Sequence, residues 1–136
     1  MLVEMDKFLS KMHLGGFAIT LGGLPHAFSA FFAYDVETSS LIIASNTSSL
    51  HGASFCDGVA ISGVIALDTR VVGLIKGIQI WGKIFESDEN DRKIYYSKFP
   101  YAIPMRPTLW RIQINKAKLT DNKIAFGKKL IWEREK

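Results

Sequence analysis

Val71-Val72-Gly73-Leu74-Ile75-Lys76-Gly77-Ile78-Gln79-Ile80-Trp81-Gly82-Lys83-Ile84-Phe85 is the longest apolar segment with strand character and points to a β fold. It is rich in β-branched and aromatic residues, which suit a pleated, half-buried surface, and it reads as one long strand starting at Val71. Side chains alternate between the two faces of a strand, so Lys76, Ile78 and Ile80 share one face and Gly77, Gln79 and Trp81 the other. Gly73, Gly77 and Gly82 would weaken a plain strand. They fit bends, bulges or the close approach of another backbone, which are features of barrels.

The flanking sequence agrees with a mainly β fold. Upstream, Val59 to Leu67 is a strand that turns at Asp68-Thr69. Before it come Phe17 to Leu21, a turn at Gly22-Gly23-Leu24-Pro25, His26 to Tyr34, a polar turn at Asp35 to Ser39, and Leu41 to Ser45, a meander of hairpins. Leu2, Met5, Phe8, Leu9 and Met12 recur at helical spacing, and Gly15-Gly16 ends that helix. Asn46-Thr47-Ser48-Ser49 are capping residues that predict a short helix from Leu50 to Cys56, closed by Asp57-Gly58. Downstream, Ser87-Asp88-Glu89 opens a second helix with Arg92, Lys93 and Lys98 further along, as the macrodipole favours. Pro100, Pro104 and Pro107 mark a loop. Leu109 to Ile114 and Leu119 to Trp132 read as closing strands with a turn at Asp121-Asn122. Many strands and few helices predict a closed or partly closed β-barrel.

With 136 residues, 48% of them hydrophobic, the chain suits one domain over residues 1–136 around one core. Its formal charge of +4 is unevenly placed. Residues 1–110 hold 9 Lys/Arg and 10 Asp/Glu, a net of −1, whereas residues 111–136 hold 8 and 3, a net of +5. That tail fits an anionic partner or a solvated edge that discourages strand aggregation. The single cysteine, Cys56, excludes an internal disulfide and a Cys-cluster metal site. With no base near it in sequence, Cys56 reads as a structural thiol, compatible with a reducing cytoplasm. His13, His26 and His51 are isolated, so no metal site is expected. No apolar run approaches the roughly 18 residues of a membrane helix. Glu4 and Asp6 do not suit a signal peptide. A cytoplasmic protein with no membrane partner is the expectation.

Four places carry candidate chemistry. Ser45-Asn46-Thr47-Ser48-Ser49 joins a strand to a predicted helix, where unpaired N–H groups and hydroxyls attract a phosphate; ordinary N-capping is the simpler use of the same residues. His51, one turn into that helix, is placed to donate to the same anion. Gln79 and Trp81 share a strand face that suits a heterocycle or, equally, a core or subunit interface. Gly127-Lys128-Lys129-Leu130-Ile131-Trp132-Glu133-Arg134 offers cations beside an indole, suited to a phosphate-bearing aromatic ligand or to a solvated terminal strand. The +5 tail supports nucleic-acid binding only weakly: residues 1–110 are slightly acidic and no recognised motif is present, so no nucleic-acid partner is expected. No nucleophile–base arrangement, P-loop or Gly-rich dinucleotide motif occurs, so enzyme chemistry would belong to a cofactor.

The tail Leu119-Thr120-Asp121-Asn122-Lys123-Ile124-Ala125-Phe126-Gly127-Lys128-Lys129-Leu130-Ile131-Trp132 resembles the ending of the bacterial YhbP-like proteins. Ile75 to Ile84 is similar to that family's central strand, and Lys98-Phe99-Pro100 and Leu109-Trp110-Arg111-Ile112 match its later segments. The similarity runs from Phe8 to Trp132. The family in turn resembles the split-barrel group of pyridoxamine 5'-phosphate oxidase-like proteins. The resemblance implies a six-stranded antiparallel split β-barrel with a few short helices. It implies a homodimer with flavin mononucleotide (FMN) at the subunit interface, acting as an oxidoreductase. The positions it assigns to FMN are Ser45, Asn46, Thr47, Ser49, His51, Lys76 and Gln79, with Lys128, Lys129 and Trp132 from the partner. It puts a substrate near Phe28, Phe31 and Tyr34, which the sequence alone reads as barrel core. The chain departs from the pattern at Ser48 and Leu50, where relatives carry Lys or Arg. Without those cations the alternative is a split-barrel dimer that has lost FMN and binds another planar ligand such as haem, or has a structural or regulatory role.

Overall fold

Alternation of apolar and polar residues produces seven strands in the computed structural model, which describes residues 1–46 and 57–136. They are β1 (Leu14–Leu21), β2 (Leu24–Asp35), β3 (Ser40–Ala44), β4 (Val59–Ala66), β5 (Lys76–Glu86), β6 (Leu109–Asp121) and β7 (Lys129–Glu133). Among the described residues two α-helices accompany them, α1 (Val3–Lys11) and α2 (Glu89–Lys98). Every pairing is antiparallel, and neighbours run β3-β2-β1-β4-β5-β6-β7 with a further pairing between β3 and β6.

That last pairing returns the sheet on itself, so six strands form a ring and β7 extends it from β6. The ring is split because the long strand β6 changes partner. Leu109 to Gln113 bonds to β3, whereas Lys116 to Thr120 bonds to β7. Likewise β2 meets β3 only from Phe32 onward. The fold is a split β-barrel.

The inward side chains form one apolar cluster that includes Phe17, Phe32, Ile65, Ile78, Ile80, Ile112 and Leu119. Met5, Phe8 and Leu9 of α1 are buried in it, and Phe28 and Ala30 of β2 and Leu130 and Trp132 of β7 pack against it. The Tyr34 hydroxyl donates to Asp6 at 2.6 Å and ties α1 to β2. Burial and the Asp6 carboxylate hold the Tyr34 pKa well above that of an ordinary phenol. A smaller cluster lies on the opposite side of β2, β3 and β6. There Tyr95 of α2 and Phe99, which caps its C-terminus, pack with Ala33, Ile42 and Leu109. Thus α2 covers the outer face of one part of the barrel, and among the described residues no helix packs on the outer face of β1, β4 and β5.

Two close approaches shape this barrel. Between Trp81 and Gly82 the β5–β6 register slips, and a Cβ on Gly82 would lie 2.0 Å from the Gln113 carbonyl oxygen. The Phe17 ring fits between Gly15 and Gly63, where added Cβ atoms would come within 2.8 and 2.6 Å of it.

The structure differs from the sequence reading in three ways. Gly15 and Gly16 belong to β1 rather than ending α1, which stops at Lys11 before an extended Met12. The long strand starts at Lys76, not Val71; Val72–Leu74 is a 3₁₀ turn, and Leu67 N–H donates to the Lys76 carbonyl across it. The β-branched residues there imitate a strand although Val71 and Val72 are both 56% exposed. Third, residues 109–121 form one continuous strand rather than two segments. The helix expected from Leu50 to Cys56 lies outside the described residues.

Candidate functional site

On the outer face that α2 leaves open the register brings residues from six strands into rows. One row runs Ser29–Gly16–Val64–Gln79–Lys118–Ile131 and the next Ala27–Ala18–Ser62–Trp81–Lys116–Glu133. Where the rows cross β1 and β4 the side chains are small, so the surface sinks. The result is an open groove of about 500 Å³. Gly16, Ala18, Ala27 and Ser62 leave the space, the strands at Phe17 and Phe28 form its floor with both rings turned into the core, and Gln79 and Trp81 form one side. This volume lies within the range of cofactor pockets, which are mostly apolar with a few placed polar groups.

Those polar groups have a defined order. The Gln79 amide and Ser62 hydroxyl are within the groove lining. Beyond Gln79 on the same face stands Lys118, and the adjoining row Gly77–Thr120–Lys129 adds a second ammonium group. The Lys116 Nζ lies 5.6 Å from the centre of the Trp81 ring and 3.6 Å from Glu133, so this ammonium is already partnered. A flat ligand against Trp81, with an anionic end toward Lys118 and Lys129, matches this arrangement.

The remaining candidates are distributed elsewhere. Lys76 lies on the inner side of β5. Its ammonium group is 3.4 Å from the buried Asp121 carboxylate and 5.3 Å from the Phe8 ring centre. Trp132 also turns inward, against the core, with the Arg134 guanidinium 5.6 Å from its ring centre. Lys128 is exposed in the β6–β7 turn, and Lys129 is exposed at the start of β7. Ser45 follows β3, and its N–H donates to the Thr108 carbonyl at 3.0 Å. Its buried hydroxyl has no hydrogen-bond partner among the described residues. Thr108 lines a separate polar cavity of about 260 Å³ with Glu86, Ser87 and Arg92. Asn46 is exposed. Thr47, Ser48, Ser49, Leu50 and His51 lie outside the described residues. Gln79 and Lys129 therefore share the groove's face, Lys76 and Trp132 take the opposite face, and Ser45 lies at the far end of β6.

The sequence reading missed Gly16, Ala18, Ala27, Ser62 and Lys118. A signal was present: Ala60, Ser62, Val64 and Ala66 alternate on β4 with the buried Ile61, Gly63 and Ile65, which gives a small, weakly polar outer face. Among the described residues no group of three or more His, Cys, Asp or Glu is placed to hold a metal ion.

No protein-family model matches the chain. Whole-length relatives do. A UPF0306 protein of Cronobacter sakazakii is 34% identical over 134 residues, covering 96% of this chain and 93% of its own. The UPF0306 protein YhbP of Escherichia coli is 31% identical over 137 residues, covering 98% of each. Among solved structures, a haem-binding protein from Mycobacterium smegmatis superposes with a TM-score of 0.71 at 12% identity, covering 90% of this chain and 53% of that one. An FAD-binding protein from Mesorhizobium loti superposes with a TM-score of 0.69 at 16% identity, covering 86% and 90%. At these identities the structural likeness speaks for the fold.

Proposed function

The chain belongs to the UPF0306 family, and from that premise we propose that it binds a flavin, FMN, in the groove of β1, β4 and β5, at the interface of a homodimer. The observation that carries this reading is the placement of Gln79, Trp81, Lys118 and Lys129 on one face beside a groove lined by small residues. The indole offers a stacking surface, the Gln79 amide a donor and acceptor for a ring edge, and the two ammonium groups a seat for a phosphate. The FAD-binding neighbour with the same fold supports a flavin in this architecture.

The same face supports a homodimer. Leu14, Val64 and Trp81 are each about half exposed there, and an apolar face of this kind is covered in a two-fold pair. A partner closing over the open groove would exclude water from it and bring further polar groups to the ligand.

Bound flavin would supply hydride transfer, and this chain's residues would bind and orient the ring system. On this reading the protein is a flavin-dependent oxidoreductase whose contribution is positional. FMN fluorescence titration is the test. Saturable quenching is expected, weakened about tenfold or more by Lys129→Gln and by Gln79→Ala. Absence of saturable quenching in the wild-type protein would overturn the proposal.

Haem in place of flavin is a second reading. Ser48 and Leu50 stand where two phosphate-binding cations would be expected, and a haem-binding protein shares the fold. A Soret band that survives gel filtration after haemin is added, with no flavin binding, would select it.

A further inference from the structure

A group of exposed apolar side chains lies at one end of the barrel, apart from the groove. The β4–β5 connection presents Leu67, Val71, Val72, Leu74 and Ile75, each between 38% and 56% exposed. The β6–β7 turn presents Ile124 at 51% and Phe126 at 80%. The two turns are about fifty residues apart in sequence, yet Asn122 joins them. Its N–H donates to the Ile75 carbonyl at 3.0 Å and its side-chain amide to the Val72 carbonyl at 2.9 Å. Its Oδ1 accepts from Gly127 N–H at 3.0 Å, and Lys128 N–H donates to the Ala125 carbonyl at 2.8 Å. The apolar side chains are therefore held on braced turns, which lowers the ordering cost of presenting them.

The charges around this patch are mostly of one sign. Arg70, Lys123 and Lys128 are exposed on the two turns, and Asp68 is their one exposed carboxylate. Asp121 is buried and paired with Lys76. Two copies meeting patch to patch across a two-fold axis would set cation against cation. A nucleic acid would satisfy the cations and leave the apolar tips in water. An anionic bilayer satisfies both, since its headgroups attract Lys and Arg while apolar side chains enter the headgroup–acyl boundary.

We propose that these paired turns form a docking surface for an anionic lipid bilayer, on which the protein lies without spanning it. The expectation of no membrane partner came from contiguous apolar runs. Here the apolar surface is assembled from two distant turns, and among the described residues no helix is long and apolar enough to cross a membrane.

The test is co-sedimentation of the full chain with phosphatidylcholine vesicles, with and without phosphatidylglycerol. Binding is expected only to the anionic vesicles, and it should fall as salt is raised. Two double variants at exposed positions, Ile124→Ser with Phe126→Ser and Lys123→Glu with Lys128→Glu, should each lower the partition coefficient at least about tenfold. Their thermal unfolding should match the wild type. No binding to anionic vesicles, equal binding to both vesicle types, or undiminished binding by both variants would overturn the proposal. So would a fall from dimer to monomer mass in light scattering of the Ile124→Ser, Phe126→Ser variant, which would make the patch an interface between copies.

Discussion

Gly82 shows how a single residue constrains this barrel. The Gln113 carbonyl occupies the space a side chain would need, so Gly82→Ala is expected to cost about 2–4 kcal/mol through backbone displacement at the bulge. Gly73, with nothing within 4 Å of an added Cβ, should tolerate alanine within about 0.5 kcal/mol. Urea unfolding of the two variants checks both values. Lys76 and Lys129 separate in the same manner. The Lys76 ammonium group is committed to Asp121 inside the barrel rim. Lys76→Gln should therefore lower stability by about 1–2 kcal/mol, a figure that allows for the partial exposure of the lysine. Lys129→Gln should leave stability nearly unchanged and weaken flavin binding. The opposition of Lys76 to Gln79 was legible from two-residue alternation alone. The same alternation, carried along 129–132, separates Lys129 from Trp132, although their closeness in sequence had suggested one ligand site.

At the scale of elements, α2 begins with a reciprocal cap. The Asp88 carboxylate accepts from Asp91 N–H at 2.8 Å, and the Asp91 carboxylate accepts from Asp88 N–H at 3.0 Å. Arg111 approaches both carboxylates, at 3.6 and 3.7 Å. The Asp91 N–H, aided by Arg111, holds the Asp88 carboxyl below the usual carboxylate range, whereas burial raises that of Asp91. A lowered carboxyl pKa contributes stability above its unfolded value, and the contribution is lost as pH falls through the folded value. Asp88→Ala is thus expected to cost about 1 kcal/mol at neutral pH, and the difference from wild type should shrink in acid. Paired urea titrations at the two pH values measure it. This cap was readable as Ser87-Asp88-Glu89 because a helix start is a local event. The start of β5 was not readable, because Val71 and Val72 have strand propensity but lie in an exposed turn whose conformation is fixed by Asn122, far along the chain. The groove was hidden for a related reason. The alternation on β4 hints at the small outer face around Ser62, but Gly16 and Ala18 join it in a depression only when β1, β4 and β5 come into register.

For the whole molecule, the barrel has two outer faces with different fates. α2 covers one, and the other carries both the groove and half-exposed Leu14, Val64 and Trp81. Placing a charge there by Val64→Glu should convert a dimer to a monomer in light scattering and abolish flavin binding with it, since like charges would meet across a two-fold interface. Loss of flavin binding from a variant that stays dimeric would separate the groove from the interface. Whether the groove holds a flavin is read from a visible spectrum of the purified protein after excess FMN and desalting, beside that of Trp81→Ala. A stoichiometric flavin spectrum retained by the wild type and lost from the variant is the expected result. A wild-type protein that emerges colourless, or a variant that retains flavin as fully as the wild type, would contradict it.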